Sequence, residues 1–255
     1  MRPGIKYILS LTYIFLLGGV ILHPAGGQTE AQLRNPAIHS DSSIITAWAV
    51  SCDLERGPGI ITYPDSIEVT SGEATNAIGK SDGFVVSLGD GGRATLRFDQ
   101  PIANGPGPDF AVFENSFDGT FLELAFVEVS SDGQNFARFP SESYTQTDSQ
   151  VWTFGILDQE DIYNLAGKYK AGWGTSFDLA ELEDVSGLDI QAVVAVRIID
   201  VIGILDDSIG SKDAFGMLVN DPFPTPFESC GFILTGWECL IMYRCLPEHP
   251  TRKYF

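Results

Sequence analysis

The sequence is poor in the side chains that carry most nucleophilic and transition-metal chemistry. It contains three histidines, His23, His39 and His249, all of them near the ends of the chain. No cysteine lies between Cys52 and Cys230. A Ser/His/Asp or Cys/His catalytic arrangement is therefore not expected, and neither is a zinc site with histidine ligands.

Basic residues are also scarce. Fifteen lysines and arginines face 34 aspartates and glutamates, and the formal net charge is -19. A chain of this charge is repelled by nucleic acid and by anionic membrane surfaces, so neither is an expected partner. The acidic side chains are suited either to binding hard cations or simply to keeping the protein soluble.

Long hydrophobic runs are missing apart from 7–22, which is shorter than a comfortable membrane span. Arg2 and Lys6 precede this run, and the small residues Ala-Gly-Gly follow it, just before Gln28. This order predicts a signal peptide over 1–27, with an uncleaved anchor as the alternative. We therefore expect a secreted, extracellular or cell-surface protein with no membrane insertion after cleavage.

The four cysteines are unevenly distributed, because three of them, Cys230, Cys239 and Cys245, lie in the last 26 residues. In an oxidising compartment, four cysteines allow two disulfides with three possible connectivities. The acidic, glycine-rich character of the chain also ends in this region. We interpret 237–255 as an atypical tail and hypothesise that it results from a shift of reading frame.

Short apolar runs separated by glycine and proline dominate the rest of the chain, which contains 27 glycines and 14 prolines. Segment 109–136 predicts two adjacent strands with apolar residues on both faces, followed by a hairpin turn at Asp132-Gly133. The four residues 89–92 predict another hairpin. The β-branched run 192–202 predicts an interior strand.

These patterns predict an all-β fold, an antiparallel β-sandwich or jelly roll over 44–236. One or two short helices are expected, one over 158–165 with Asp158 as its cap and one at 179–182. Segment 28–43 is polar and is expected to be a flexible N-terminal stretch.

Calcium is the metal that best suits this composition, since it takes six to eight oxygen ligands from carboxylates, amides and backbone carbonyls. Acidic loops supply such oxygens, although none has the spacing of an EF-hand. The candidate ligands of a structural calcium are Asp82, Glu114, Asp118, Asp206 and Asp207.

Six phrases in order resemble a family of secreted bacterial "cell surface proteins", whose core in turn resembles galactose-binding-like, discoidin-type jelly rolls. The phrases are NAIGKSDGFVVSLGDGGRATLRF (76–98), PDFAVFENSF (108–117), LAFVEVSSDGQNFARFP (124–140), AGKYKAGWGTSFDLAEL (166–182), VRIIDVIG (196–203) and NDPFPTPFESCGFIL (220–234). Cys230 and Ile233 depart from the pattern, which has glycine and aspartate at these positions. The resemblance implies an extracellular β-sandwich that binds a glycan or nutrient, with bound calcium and no established catalysis.

The expected function is a non-catalytic binding module for a glycan or another small extracellular ligand. The candidate ligand-binding residues are Glu114, Asn115, Phe117 and Trp173, with the aromatic rings stacking on the ligand. One alternative is an adhesive or structural domain that binds a surface protein. The other is a glycoside hydrolase that uses two of the carboxylates Glu114, Glu123 and Glu128.

Overall fold

A computed structural model of the chain describes residues 34–79 and 84–242, with the backbone alone for 236–242. The predicted signal peptide, Asp82 and the last part of the predicted tail lie outside these residues. Three segments form single turns of 3-10 helix, and all longer elements are strands.

The described residues form fourteen strands, numbered here in chain order. They are β1 (Ala37–His39), β2 (Ile45–Trp48), β3 (Ser51–Glu55), β4 (Val85–Ser87), β5 (Arg93–Ile102), β6 (Phe110–Glu114), β7 (Ala125–Ser130), β8 (Ala137–Arg138), β9 (Glu142–Ser143), β10 (Ile162–Tyr163), β11 (Leu165–Ala166), β12 (Trp173–Phe177), β13 (Val193–Asp200) and β14 (Ile233–Met242).

The strands form two large antiparallel sheets. Sheet A has the order β1-β12-β6-β14-β2, with β4 also paired to β14, and sheet B has the order β11-β7-β13-β5-β3, with β8 also paired to β7. The short pair β9-β10 stands apart. Because β4, β5, β6 and β7 alternate between the two sheets, the chain crosses the core at each connection, as in a jelly roll. The prediction of an all-β antiparallel sandwich is confirmed.

Two of the predicted strand connections are wrong. Residues 89–92 do not form a hairpin, because β4 belongs to sheet A and β5 to sheet B. Likewise β6 and β7 are not adjacent, since they face each other across the core. Both errors have one cause: a turn-rich segment between two apolar runs looks the same whether the chain returns to the same sheet or crosses to the other.

Other local predictions are confirmed. The turn at Asp132-Gly133 joins β7 to β8, with Gly133 at φ 73°, a value that favours glycine. The apolar run around β13 is the interior strand between β7 and β5.

The helix predicted over 158–165 is wrong after Asp161, where the chain continues into the strands β10 and β11. What remains of the predicted short helices are turns of 3-10 helix. They lie at Gln159–Asp161 and Leu179–Leu182, and a third, not predicted, lies at Ala74–Ala77. The Asp158 carboxylate caps the first of these by accepting a hydrogen bond from the Glu160 amide (2.9 Å).

The core lies between the two sheets, and alternation along the strands determines which side chains enter it. Phe110 is fully buried, its ring stacks on Phe177 at 5.3 Å between centroids, and Val112 points the same way. Val196 and Ile198 of β13 and the alternate residues of β7 face them from sheet B. The next inward position on several of these strands is occupied by an acidic residue, and these residues are part of the site described below.

The ends of the domain extend further than the sequence indicates. Ala37–His39, within the segment expected to be flexible, pairs with β12 as an edge strand. Strand β14 continues to Met242, past the expected start of the atypical tail, and pairs with β6 and β2. Cys52 and Cys230 are free thiols.

Candidate functional site

Three loops meet at the end of the sandwich where β6 ends and β7 begins. We call them the first, second and third loops, covering 115–124, 150–158 and 220–228. The Leu157 amide of the second loop donates to the Thr120 carbonyl of the first (2.9 Å). The Phe223 amide of the third loop donates to the Val151 carbonyl of the second (2.9 Å). Backbone hydrogen bonds therefore join the three loops into one surface.

Four phenylalanines from these loops form a continuous row of rings, which we call the aromatic ribbon. Ring centroids are 5.0 Å apart for Phe117 and Phe121, 5.9 Å for Phe121 and Phe154, and 5.6 Å for Phe154 and Phe227. Phe117 is 71% exposed, Phe154 67% and Phe227 41%. A soluble protein rarely leaves so many large rings in contact with water unless the surface binds a partner.

The first loop holds its part of the ribbon through Asp118. The Asp118 carboxylate accepts hydrogen bonds from the amides of Thr120 (2.8 Å) and Phe121 (2.7 Å). These hydrogen bonds hold the pKa of Asp118 below its ordinary value. The turn they close brings Phe117 and Phe121 face to face, with an interplanar angle of 19°.

Five acidic side chains lie buried at this same end of the core. We call this set the acidic cluster; its members are Asp90, Glu114, Glu123, Asp200 and Asp221, each at most 5% exposed. Glu114 continues the inward row of β6 and Asp200 that of β13, while Glu123 comes two residues before the inward-facing Ala125 of β7.

Hydrogen bonds fasten several members of the cluster to the surrounding backbone. The Asp200 carboxylate accepts from the amides of Gly91 (2.9 Å) and Phe232. The Asp221 carboxylate accepts from the Leu124 amide (3.0 Å), which directly follows Glu123. The cluster thus connects the 89–92 crossover, the first loop, the end of β13 and the third loop.

The carboxyl groups of the cluster raise one another's pKa. Burial raises the pKa of Glu123 well above its ordinary value, and the nearby carboxyl groups of Glu114, Asp200 and Asp90 raise it further. Burial does the same for Asp200 and Asp221, each with like-charged neighbours in the cluster. The pKa of Asp90 rises to about 6, again through burial. Close carboxylates in a medium of low dielectric constant cannot all be ionised without a compensating charge.

Four members of the cluster, Asp90, Glu123, Asp200 and Asp221, receive no compensating charge from a basic side chain of the part of the chain that the structure describes. Arg138 and Arg197, for example, form ion pairs with Glu128, which lies outside the cluster. No lysine, arginine or histidine among the described residues acts on Asp90, Glu123, Asp200 or Asp221.

The structure brings some of the predicted ligand-binding residues together. Glu114 belongs to the acidic cluster and Phe117 to the aromatic ribbon. Asn115, which connects them, is exposed, and its amide donates to the Ile233 carbonyl (3.2 Å). Trp173 instead packs its ring edge-on against His39, 4.8 Å between centroids, and is 38% exposed.

The other predicted metal ligands lie in exposed loops and are used locally. Asp118 closes its own turn, and Asp206 accepts a hydrogen bond from the Ser208 amide (2.8 Å). Asp207 forms an ion pair with Lys212 (2.9 Å). Asp82 lies outside the described residues. Within those residues, no three acidic, histidine or cysteine side chains are already arranged to hold a metal ion.

Sequence reasoning did not identify the cluster as a unit, nor three of the four ribbon rings. The alternation of side chains along the strands could have identified part of the cluster. Asp200 lies at an inward position at the end of the apolar run of β13, and Glu114 lies at an inward position at the end of β6. The ribbon has no comparable signal, because its rings come from three segments that only the tertiary structure joins.

No helix of the described residues has the length and apolar character needed to cross a bilayer. No protein-family model matches the chain, and no curated protein sequence is significantly similar to it.

Proposed function

We propose that this protein is a secreted or cell-surface binding module that holds a glycan, or another small extracellular ligand with an apolar face, on the aromatic ribbon. The observation that carries the proposal is the row of four rings, three of them exposed, formed by three hydrogen-bonded loops. A ligand site on loops at one end of a rigid sandwich is a common arrangement in β proteins.

The chemistry of the ribbon favours a sugar. The C–H groups of a pyranose ring form an apolar face that packs on an aromatic ring, whose π electrons give its face a partial negative charge. Asn115, Thr120 and Trp152 lie exposed in the same loops and offer amide, hydroxyl and indole groups to sugar hydroxyls. The net charge of -19 favours neutral or basic sugars over acidic ones.

The same geometry favours binding over hydrolysis. A general acid must come within hydrogen-bond distance of the leaving oxygen. Glu114 and Glu123 are buried at the sandwich end, and Glu128 is paired with Arg138 (2.9 Å). We therefore assign no catalytic role to these carboxylates.

A glycan array probed with the purified mature protein tests this proposal. The double variant Phe117→Ala/Phe154→Ala removes the two most exposed rings of the ribbon and is expected to weaken binding of the array ligand at least tenfold, about 1.4 kcal/mol or more. The matched control is Phe215→Ala, which removes a ring that is equally exposed but lies outside the ribbon.

Glycan binding that survives the double variant would remove the ribbon as the site. Binding to a surface protein, lost in the double variant and without any glycan signal, would instead support the adhesive alternative. Turnover of an arrayed glycan would contradict the non-catalytic assignment.

A further inference from the structure

We propose that the acidic cluster binds one hard divalent cation, of the size and coordination habit of calcium, between the two sheets at the loop end of the sandwich. This site goes beyond the proposed ligand binding and does not depend on what the aromatic ribbon holds. It includes Glu114, but its other members are not among the sequence-predicted ligands.

Two observations place the members of the cluster: the alternation of inward-facing and outward-facing side chains along the strands, and the hydrogen bonds of the carboxylates. Glu114 and Asp200 occupy inward positions at facing ends of sheets A and B. The Asp200 carboxylate accepts a hydrogen bond from the amide of Gly91, the residue after Asp90. The Asp221 carboxylate accepts one from the amide of Leu124, the residue after Glu123. Four separate parts of the chain that carry buried carboxyl groups therefore meet at this end of the core.

Glu123 is the second, independent observation that points to a ligand. Its side chain is only 4% exposed, yet no described residue donates a hydrogen bond to its carboxylate or forms an ion pair with it. The groups that act on it are Glu114, Asp200 and Asp90. A buried carboxylate with acidic neighbours and no donor is strongly destabilising unless a cation or a proton compensates it.

The donor set selects the class of cation. It consists of carboxylates, which are ligands for hard cations. Cys230 brings a sulfur close to the cluster, but burial and the neighbouring acids raise the pKa of its thiol to about 12, so it is a poor ligand for a soft metal. Within the described residues, no three acidic, histidine or cysteine side chains are already arranged around one point, so an ion with flexible geometry that accepts carbonyls and water fits better than magnesium.

A bound cation would have a defined structural effect. It would cross-link the 89–92 crossover, the first loop, the end of β13 and the third loop, and it would offset the repulsion among the five carboxylates. Binding to the folded state alone raises stability according to the concentration of the ion relative to its Kd.

Calorimetric titration and thermal melting of the purified, chelator-treated chain test the proposal, with calcium in one arm and magnesium in the other. We expect one calcium bound per chain, a rise in Tm of several degrees at saturating calcium, and a smaller rise with magnesium. No binding and no change of Tm with either ion would overturn the proposal. That result would leave glycan binding by the ribbon unaffected.

The variant Glu123→Gln provides a sharper test because its two expected effects have opposite signs. It removes one repelling charge, so its Tm in chelator should be higher than that of wild type. It also removes a ligand, so its calcium affinity should fall at least tenfold. Asp221→Asn is the second variant, expected to weaken calcium binding in the same way.

The matched control is the exposed pair Asp206→Asn/Asp207→Asn, expected to leave calcium binding unchanged. Loss of calcium binding in this control, with binding retained in Glu123→Gln, would place the ion in an exposed loop and overturn the assignment. A Glu123→Gln protein that is more stable in chelator but binds calcium like wild type would show that protons, not a cation, neutralise the cluster.

Discussion

Asp109 allows a quantitative test of how burial controls stability in this protein. It lies just before β6, is 2% exposed, and accepts hydrogen bonds from the amides of Gly105 (2.7 Å) and Leu179 (2.8 Å). Burial raises its pKa to about 6, although these two hydrogen bonds favour the charged form, and the nearby Asp178 adds a smaller increase. The informative change is Asp109→Asn, which removes the titrating group and keeps the shape.

The sign and size follow from linkage. An unfolded chain releases this proton near pH 4, whereas the folded protein releases it near pH 6. The folded state therefore binds more protons between these values, and the free energy of unfolding falls as pH rises from about 4 to about 6. A shift of two units at roughly 1.4 kcal/mol each corresponds to about 3 kcal/mol. The asparagine variant should gain about this much relative to wild type between pH 4 and pH 7.

Urea unfolding of both proteins at pH 4, 5, 6 and 7 measures the effect, because the difference between them cancels the titration of every other group. A difference that stays constant across this range would refute the reasoning. Asp118→Asn is a control of opposite sign. Hydrogen bonds lower the pKa of Asp118, so its contribution to stability is fully present above the unfolded pKa and is lost as pH falls below about 4, which a further measurement at about pH 3 shows.

Three further predictions concern the core, the 89–92 crossover and the predicted signal peptide. Phe110→Ala should cost roughly 3–5 kcal/mol of unfolding free energy in urea, since the ring is fully buried between Phe139 and Phe177; a loss below about 1 kcal/mol would contradict this packing. Gly92→Ala should lower the Tm markedly in a thermal melt, because the new Cβ would lie 1.9 Å from the Leu88 carbonyl oxygen; an unchanged Tm would contradict this close approach. Mass spectrometry of the secreted protein should find Gln28 at the N-terminus, and a start elsewhere would refute the predicted cleavage.

The fold class could be predicted from the sequence because alternation and turn chemistry are local. The Asp132-Gly133 pair is typical of a hairpin turn, and the β-branched run of β13 is typical of a buried strand. The partners of each strand could not be predicted in the same way. Whether 89–92 returns to sheet A or crosses to sheet B is decided by which edges have an apolar face to bury, and this depends on residues far away in the chain.

The candidate site was predictable to a smaller extent. Glu114 and Phe117 were identified because they lie in one acidic, aromatic stretch, at the end of β6 and in the loop that follows it. Asp90 and Asp221 lie in loops, where side chains do not alternate regularly between two faces, so the sequence does not indicate where their carboxylates point. The hydrogen bonds that these carboxylates accept from the Ile61 and Leu124 amides show it in the structure. The ribbon depends on contacts among three loops, so no single window of sequence contains it.

Strand β14 has a consequence for how this chain is made. It lies between β6 on one side and β2 and β4 on the other, and among the described strands it is the only one that pairs with β2 or β4. During synthesis these two early strands must wait, unpaired along both edges, until β14 is translated, which is about 190 residues after β2 and about 150 after β4. A chaperone that keeps the nascent polypeptide extended should therefore raise the yield of this protein more than that of a sandwich whose last strand lies at an edge.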